Sequence, residues 1–417
     1  MAKIAFVVDI EEGHLFGTLG LACALRDSGH EVVYISIPDN IDHISADGFP
    51  LYPMFSEIYP PGYRKKYKLG NRAKGVNHMP FVDDHLNMMI DDSIEMFLDK
   101  IKPDLLILNC FMLIESLIFH YKFDCPQVIL WTCYRRPNFD IVDECKSLLM
   151  SMNVESAIRF MEFLRKRGVQ FNTLQEIVKP MAGFPELITG YGELELPAAR
   201  QQPKAIYIGA NLVKRGEGRR PSLLDTIGPD KRIIYASMGS QTIIYGESWD
   251  RFFHSLIEVM ERKSMQGSHL VISIGKENDS SKYTSELENV TALPWLPQVD
   301  LLKEACLAIV HGGLGTINEC IWHRVPMLFM PVARDSFANA KRVEHHQLGL
   351  QHAPFDPVDD LEEKMLFLLK SPEIARNVKN MQKTFVDLEQ KNLGLQLIEQ
   401  VIQREAITSG KPVITMP

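Results

Sequence analysis

The sequence lacks the features that mark several large classes of protein. Its seven cysteines are scattered and include no Cys-x-x-Cys pair, so they predict buried thiols in a reducing compartment, with neither a disulfide framework nor a zinc site. No uninterrupted apolar run reaches the roughly 20 residues of a membrane-spanning helix; the best candidate, residues 104–119, is broken by Asn109 and Glu115. Acidic residues follow the first apolar run, residues 4–8, so we expect no signal peptide and a cytoplasmic protein.

The chain also lacks an excess of positive charge. The formal net charge of -8 argues against nucleic acid as the main partner. Apolar residues make up 46% and charged residues 24% of the chain, which is typical of an ordinary globular protein. At about 150 residues per domain, a chain of 417 residues is expected to form two or three domains, and two fit its pattern better.

Short apolar runs alternate with stretches of helical periodicity, which predicts an α/β protein built on parallel sheets. The predicted strands are residues 4–8, 31–37, 104–108 and 127–131 in the first half, and 232–236, 269–273, 308–310 and 325–331 in the second. Between the halves, residues 195–230 are rich in proline, glycine and basic side chains and indicate an exposed linker.

The most informative stretch is residues 311–319, where three glycines separate a predicted strand from a predicted helix. Glycines allow close approach of the backbone to a ligand, and the unpaired N–H groups of a helix start suit a diphosphate. His311 and Thr316 can add side-chain donors, and Glu319 can accept hydrogen bonds from sugar hydroxyls. A tight strand-to-helix turn without a ligand is the alternative.

Two flanking clusters follow predicted strands and are therefore expected at the same edge of the sheet. Trp295 can stack on a flat heterocycle, Gln298 can pair with a pyrimidine edge, and Asp335 can hold sugar hydroxyls. The alternatives are that the tryptophan is a packing anchor and that Asp335 and Asn339 cap the next helix.

The spacing of these three clusters resembles the donor-binding signature of UDP-glycosyltransferases, with the closest likeness to bacterial macrolide-type natural-product glycosyltransferases. The motifs are Trp295-x-Pro297-Gln298, His311-x-Gly313-x-x-Thr316-x-x-Glu319 and Pro331-x-x-x-Asp335-x-x-x-Asn339. The resemblance covers essentially the whole chain. It implies the α/β GT-B fold, in which two Rossmann-like domains with parallel sheets face each other across a cleft.

The resemblance also implies a separate role for each domain. We expect an acceptor-binding domain over residues 1–205, a linker over 206–229 and a nucleotide-sugar-binding domain over 230–390, followed over 391–417 by a helix and tail whose return to the first domain stays open. The implied donor-binding residues are Trp295, Gln298, His311, Gly313, Gly315, Thr316, Glu319, Asp335 and Ser336, together with Ser237, Gly239 and Ser240 of a second glycine-serine loop.

The implied general base is His14, in a Gly-His pair that opens the first helix. A histidine at this place could otherwise be a helix cap or a surface group. Many family members orient this histidine with an aspartate at the position where this chain has Asn109, so we expect Asn109 to hold the ring through its carbonyl. Other carboxylates that could take this part are Asp9, Glu11, Glu12 and Glu115, and an acidic acceptor would need less help.

A second departure from the family is Ser336, which stands where sugar-reading members often carry glutamine. The shorter side chain leaves N-acetylglucosamine, or a deoxysugar on a dTDP carrier, open beside glucose as the donor sugar.

The acceptor side is less defined. Residues 58–82 contain six basic residues and no acidic residue. Tyrosine and phenylalanine side chains, the last at position 81, lie among the basic residues, and the next acidic residue is Asp83. This segment is either a solvated loop or a lip over the cleft that favours an anionic acceptor or an anionic membrane surface. Its basic residues are Arg64, Lys65, Lys66, Lys68, Arg72 and Lys74. For acceptor binding we expect Phe16, Tyr63 and Trp131.

Taken together, the residues and the resemblance predict an inverting glycosyltransferase that uses a UDP-sugar, or a dTDP-sugar, and a small hydrophobic or mildly anionic acceptor. We expect no metal and no cofactor besides the nucleotide-sugar co-substrate, and a monomer or homodimer. The alternatives are a nucleotide-sugar 2-epimerase of the same fold and a non-catalytic nucleotide-sugar-binding subunit.

Overall fold

The protein is described by a computed structural model. It covers residues 1–54, 56–67, 86, 88–91, 93–123, 125–197, 199, 204–212, 221–240, 247–276, 278–283, 287–331 and 335–408. Three of the basic residues expected near the acceptor, Lys68, Arg72 and Lys74, lie outside the described residues.

The first half of the chain forms a parallel sheet with the strand order β3-β2-β1-β4-β5-β6-β7 among the described residues. Its strands are Lys3–Val7 (β1), Glu31–Ser36 (β2), Leu51–Pro53 (β3), Leu105–Asn109 (β4), Gln127–Trp131 (β5), Glu186–Ile188 (β6) and Ala205–Tyr207 (β7). Its helices are Glu12–Asp27 (α1), Ile41–Ala46 (α2), Ser93–Ile101 (α3), Leu113–Lys122 (α4), Ile141–Ser151 (α5), Val154–Lys166 (α6) and Leu174–Val178 (α7), with short 3-10 turns at Pro38–Asn40, Lys179–Gly183 and Gly192–Leu194.

The second half forms another parallel sheet with the order β10-β9-β8-β11-β12-β13. Its strands are Arg232–Ser237 (β8), Ser268–Ser273 (β9), Val290–Leu293 (β10), Ala305–Val310 (β11), Met327–Phe329 (β12) and Gly349–Gln351 (β13). The helices are Glu247–Met260 (α8), Gln298–Leu302 (α9), Leu314–Trp322 (α10), Ser336–His345 (α11), Val358–Lys370 (α12), Pro372–Glu389 (α13) and Leu393–Thr408 (α14), with 3-10 turns at Ser222–Thr226, Lys263–Met265 and Ser280–Tyr283.

The central strands are buried along their whole length, because helices cover both faces of each sheet, and their polar residues stand only near the strand ends. Every residue of β4 and β5 is buried, and so is every residue of β9. A strand buried on both faces is a continuous apolar run, which is the sequence pattern that predicted parallel pairing. That prediction is confirmed.

The first sheet ends near the expected linker. β7 pairs with β6, with Ala205 opposite Glu186 and Tyr207 opposite Ile188, so the strand pairing of the first sheet extends to Tyr207. A three-residue edge strand carries too little apolar periodicity to be recognised in the sequence.

The end of the chain returns to the first domain. In α14, Ile398 is fully buried in the same core cluster as Leu19 and Leu21 of α1. In α13, Phe385 stacks on Tyr191 with ring centroids 3.4 Å apart. The C-terminal helices therefore tie the two domains together. Within the described residues, none of the helices combines the length and the apolar character that crossing a membrane requires.

Candidate active site

The predicted site residues follow the carboxyl ends of strands in both sheets, which is where open parallel sheets bind their ligands. His14 lies just after β1, Asn109 ends β4, and residues 311–313 connect β11 to α10. The site is built from one half in each domain.

His14 is the third residue of α1, and its ring is held on one side by a carboxylate. Its Nδ1 lies 2.9 Å and 2.8 Å from the two carboxylate oxygens of Asp9. The ring of Phe111 stacks on the imidazole at a centroid distance of 4.2 Å and an angle of 10°. Because Asp9 engages Nδ1, Nε2 is the ring nitrogen left to accept a proton from a substrate.

The surroundings of His14 favour its protonated form. Burial lowers the pKa of the ring, but the charge of Asp9, its hydrogen bond and the charge of Glu11 together raise the pKa above its usual value. The imidazolium that forms after proton abstraction is therefore stabilised where it stands. This is the electrostatic arrangement of a general base paired with an acid.

Asn109 does not hold the histidine ring, and this part of the expectation is corrected. Its carbonyl oxygen accepts the backbone N–H of Phe111 at 3.0 Å, and its amide nitrogen donates to the Thr132 hydroxyl at 3.2 Å. The amide therefore shapes the turn after β4 that brings Phe111 onto His14. Asp9, one of the alternatives named above, is the carboxylate that orients the ring.

In the second domain, three residues predicted to bind the nucleotide sugar are connected by the side-chain amide of one of them, Gln298. The side-chain N–H groups of Gln298 donate to Glu319 at 2.5 Å and to Thr316 at 3.2 Å, while its carbonyl accepts the Tyr235 hydroxyl at 3.1 Å. Both α9 and α10 contribute to this cluster. These contacts orient the Glu319 carboxylate at the edge of the cleft.

Trp295 is not a packing anchor. Its side chain is 58% exposed, and the ammonium of Lys276 lies 5.7 Å from its ring centroid. An exposed indole beside the Gln298 cluster offers a free face on which a nucleobase can stack.

The ring of His311 is enclosed by two glycine loops. A Cβ atom on Gly239 would come within 2.5 Å of the ring, and one on Gly313 within 2.7 Å. Gly239 and Gly312 also have φ angles of 71° and 96°, which side chains rarely tolerate. Backbone geometry therefore favours glycine at Gly239 and Gly312, and the lack of space beside the His311 ring requires it at Gly239 and Gly313.

This enclosure surrounds a ring nitrogen of His311. Among the described residues, Nδ1 of His311 is buried without a hydrogen-bond partner. Burial lowers the pKa of the ring, with partial opposition from Asp335, so the imidazole is neutral and retains one N–H to donate. Since α10 begins at Leu314 with no side-chain cap at Gly313, helix N–H groups and this imidazole face the same loop, which suits an anion.

Asp335 precedes α11 but does not cap it. Its side chain makes no cap hydrogen bond and instead accepts the side-chain N–H of Asn339 at 2.9 Å. The same amide donates to the carbonyl of Gly312 at 2.9 Å. Asn339 thus links the predicted sugar carboxylate to the predicted diphosphate loop.

Ser336 differs from expectation. It is 3% exposed and lies against Gly312, whose added Cβ would come within 3.3 Å of the Ser336 Cβ. Ser336 therefore supports the loop from behind, and its burial does not support the expected direct contact with a sugar. The first residue of α11 turns toward the core, and the sequence motif alone does not show that orientation.

The predicted acceptor residues fall into two groups. Phe16 is exposed and lies edge-on to His43, while Tyr63 is partly buried between Tyr59 and Tyr67. Trp131 is a correction, because its indole is only 6% exposed and its N–H donates to buried Glu186 at 3.0 Å. It belongs to the core.

The basic segment is also less basic at the surface than expected. Arg64 is buried, donates to the carbonyl of Ile10 at 2.8 Å and pairs with Glu12 at 3.2 Å. It therefore anchors the segment to the start of α1 and does not offer its charge to an acceptor.

Cys133 is a free thiol whose place near the site could not be predicted, because an isolated cysteine carries no signal in the sequence. Its pKa is lowered, chiefly by a hydrogen bond from the Cys110 thiol, and the charges of Asp335 and His14 also act on it. His14 of the first domain and Asp335 of the second are thus within electrostatic reach of one thiol.

Comparison with known proteins agrees with this architecture. Residues 249–392 match the family described as Glycosyltransferase family 28 C-terminal domain. The chain is 23% identical over 381 residues to NDP-glycosyltransferase YjiC of Bacillus licheniformis, covering 89% of this chain and 90% of that protein.

Solved structures give the same result for the fold. The glycotransferase of kitacinnamycin superposes with a TM-score of 0.73 at 21% identity, over 96% of this chain and 98% of that one. The glycosyltransferase VinC in complex with DTDP gives a TM-score of 0.67 at 18% identity, over 97% and 100%. The predicted resemblance and the GT-B fold are confirmed.

Proposed function

Because the chain is a glycosyltransferase with the GT-B fold, we propose that it transfers a sugar from a UDP-sugar to a small hydrophobic acceptor with inversion at the anomeric carbon. The observation that carries the proposal is the contact between His14 and Asp9, 2.8 Å long, at the head of α1. A histidine oriented by a carboxylate, with its second nitrogen directed away from that carboxylate, is suited to remove a proton from a nucleophile.

The reaction is a single displacement. Nε2 of His14 takes the proton of an acceptor hydroxyl as its oxygen forms a bond to the anomeric carbon of the sugar. The bond from that carbon to the diphosphate oxygen breaks, and the nucleoside diphosphate carries away the electron pair. Attack and departure on opposite faces of the carbon produce inversion.

Stabilisation of the leaving diphosphate is supported by the loop between β11 and α10. The unpartnered Nδ1 of buried His311 and the uncapped start of the helix at Gly313 are both donors fixed before the reaction. Preorganised donors of this kind usually contribute the largest share of rate acceleration. No step in this scheme calls for a metal ion.

The nucleoside is assigned to the Trp295 and Gln298 side of the cleft. Stacking on the exposed indole would hold the base, and the Glu319 carboxylate would accept the ribose hydroxyls. A ribose offers two such hydroxyls and a deoxyribose only one, which supports UDP over dTDP as carrier. The DTDP bound by VinC makes dTDP the natural comparison.

A hydrophobic acceptor is supported by the surroundings of the base. Phe111, which stacks on His14, is itself 46% exposed, and Phe16 is exposed on the same helix as His14. An apolar molecule can cover both rings while presenting a hydroxyl to Nε2. Burial of Arg64 weakens the case for an anionic acceptor.

The proposal is tested by incubating the protein with UDP-glucose, UDP-N-acetylglucosamine or dTDP-glucose and a panel of apolar phenols and macrolide aglycones. Acceptor-dependent release of nucleotide, with a β-linked product from an α-linked donor, is expected. Formation of a new nucleotide sugar without acceptor would instead indicate an epimerase, and tight nucleotide binding without turnover would indicate a non-catalytic subunit. No observation of this structure favours either of those alternatives.

A further inference from the structure

A buried arginine connects the two halves of the site. Arg342 in α11 lies in the second domain, and its Nε and a terminal nitrogen donate to the two carboxylate oxygens of Glu195 at 2.7 Å and 3.0 Å. The side chains of Arg342 and Glu195 are 5% and 0% exposed. This is a two-pronged ion pair, shielded from water, between residues 147 positions apart.

The first domain also contacts the flat face of this guanidinium. Its central carbon lies 4.4 Å from the ring centroid of Tyr134, and the Tyr134 hydroxyl donates to the backbone carbonyl of Tyr191 at 2.9 Å. A guanidinium held by a carboxylate in its plane and an aromatic ring on its face has one orientation available.

The remaining terminal nitrogen of Arg342 reaches the donor site. It donates to the side-chain carbonyl of Asn339 at 3.2 Å. With that oxygen engaged, the amide must direct both of its N–H groups to Asp335 and to the Gly312 carbonyl, at 2.9 Å each. Without the arginine, the buried Asn339 oxygen would lose this donor, and the amide could shift to find another one, which would displace its N–H groups from Asp335 and Gly312.

From this chain of contacts we infer that Arg342 is a positioning residue, which sets the Asp335 carboxylate and the Gly312 loop relative to the acceptor domain through Asn339. The inference rests on the proposed function, because it assigns Arg342 a part in holding the donor sugar. It makes donor binding dependent on the domain contact at Glu195, a residue whose side chain is fully buried.

The test is a double-mutant cycle with Arg342→Met and Asp335→Asn, scored by kcat/KM for the donor. In the native background Arg342→Met is expected to reduce kcat/KM about 100-fold, since small misplacements of binding groups have effects of that size. In the Asp335→Asn background the same change is expected to cost less than about threefold, because the group it positions is already impaired.

Arg135→Met is the matched control. Arg135 forms a buried ion pair with Glu186 at 2.7 Å, with both side chains 2% exposed, and also lies over aromatic rings, but both partners belong to the first domain. Its effect on kcat/KM is expected to be the same in both backgrounds. Melting temperatures and circular dichroism show whether each variant is folded.

If Arg342→Met does not fold, Glu195→Gln provides the same cycle, since it keeps the shape and removes the countercharge. A reduction of about 10-fold that disappears in the Asp335→Asn background supports the inference. Equal losses in both backgrounds, for either variant, overturn it while leaving the proposed function intact. An Asp335→Asn enzyme with unchanged kcat/KM for every donor overturns the proposed sugar contact as well.

Discussion

The two histidines at the strand-to-helix junctions of the two domains have opposite surroundings. His14 follows β1 and is paired with Asp9, which together with Glu11 raises its pKa despite burial. His311 follows β11, is enclosed by Gly239 and Gly313, and has a pKa lowered by burial. The same residue type, placed at a strand-to-helix junction in each of two similar sheets, thus meets opposite electrostatics.

The comparison indicates how the same type of fold can provide both the general base and the donor to the leaving group in one displacement reaction. A base needs a nearby carboxylate, because it gains a positive charge as the reaction proceeds. A donor to a leaving phosphate needs only one N–H and a site without competing acceptors. This contrast between the two histidines would not hold if either could be replaced without the loss of activity predicted for it.

Replacement of His14 is expected to have the largest effect. His14→Ala should reduce kcat for transfer by roughly 10,000-fold, the upper end of what a general base contributes, while donor affinity stays nearly unchanged because the nucleotide site lies in the second domain. Turnover and calorimetric titration with UDP measure the two quantities. Undiminished turnover would exclude His14 as the base.

Replacement of Asp9 should come next and should change the pH dependence. Asp9→Asn removes the charge that raises the His14 pKa and permits the wrong tautomer, so a loss of roughly 1000-fold in kcat is expected. The base acts when neutral, so kcat/KM falls as the pH drops through the His14 pKa. With Asp9 gone, the lowering of the His14 pKa by burial is opposed only by the remaining smaller contributions, such as the charge of Glu11, and this acidic limb should move to lower pH. A limb at unchanged pH would show that Asp9 does not set the pKa of the base.

Replacement of His311 should affect the leaving group. His311→Ala is expected to lower kcat/KM about 100-fold, the size associated with loss of one preorganised donor, and to weaken UDP binding as well. The position of the acidic limb should not move, because His311 is not the base. A variant that binds UDP normally would contradict the assignment of His311 to the diphosphate.

The smallest effect is expected at Asn109. Asn109→Asp keeps the acceptor for the Phe111 N–H, replaces the donor to Thr132 by an acceptor and adds a carboxylate at a buried position. Because the Thr132 hydroxyl can rotate to donate to that carboxylate, activity should be preserved within about threefold, or about 0.7 kcal/mol. Steady-state kinetics with the best donor and acceptor checks this. A collapse of activity would mean that the turn after β4 depends on the amide donor.

The fold was accessible from the sequence to a large extent. Apolar runs such as residues 105–108 and 307–310 lie in strands buried on both faces, and local periodicity is enough to reveal them. The loop before α10 was recognisable for a similar reason, because glycines at 312 and 313 are imposed by φ and by close contact with neighbouring side chains.

Side-chain orientation was harder to predict. Asp9 is only five positions from His14, yet several carboxylates near the ring were equally plausible until the turn after β1 was seen. Trp131 ends a strand and Ser336 follows a motif aspartate, and both were expected to contact a ligand, but each turns inward, one toward Glu186 and the other behind Gly312. Whether a residue at the end of a strand or the start of a helix faces the cleft or the core depends on packing from distant segments.

The two parallel sheets and the order of the donor motifs can be read from the amino-acid sequence, because they follow from residue types at short spacings, whereas His14 was indicated by the family resemblance. Which carboxylate holds that histidine, and how the domains are connected, depends on the assembled fold. Arg342 and Glu195 are 147 residues apart, and their partnership arises only when both sheets are assembled and water is excluded between them.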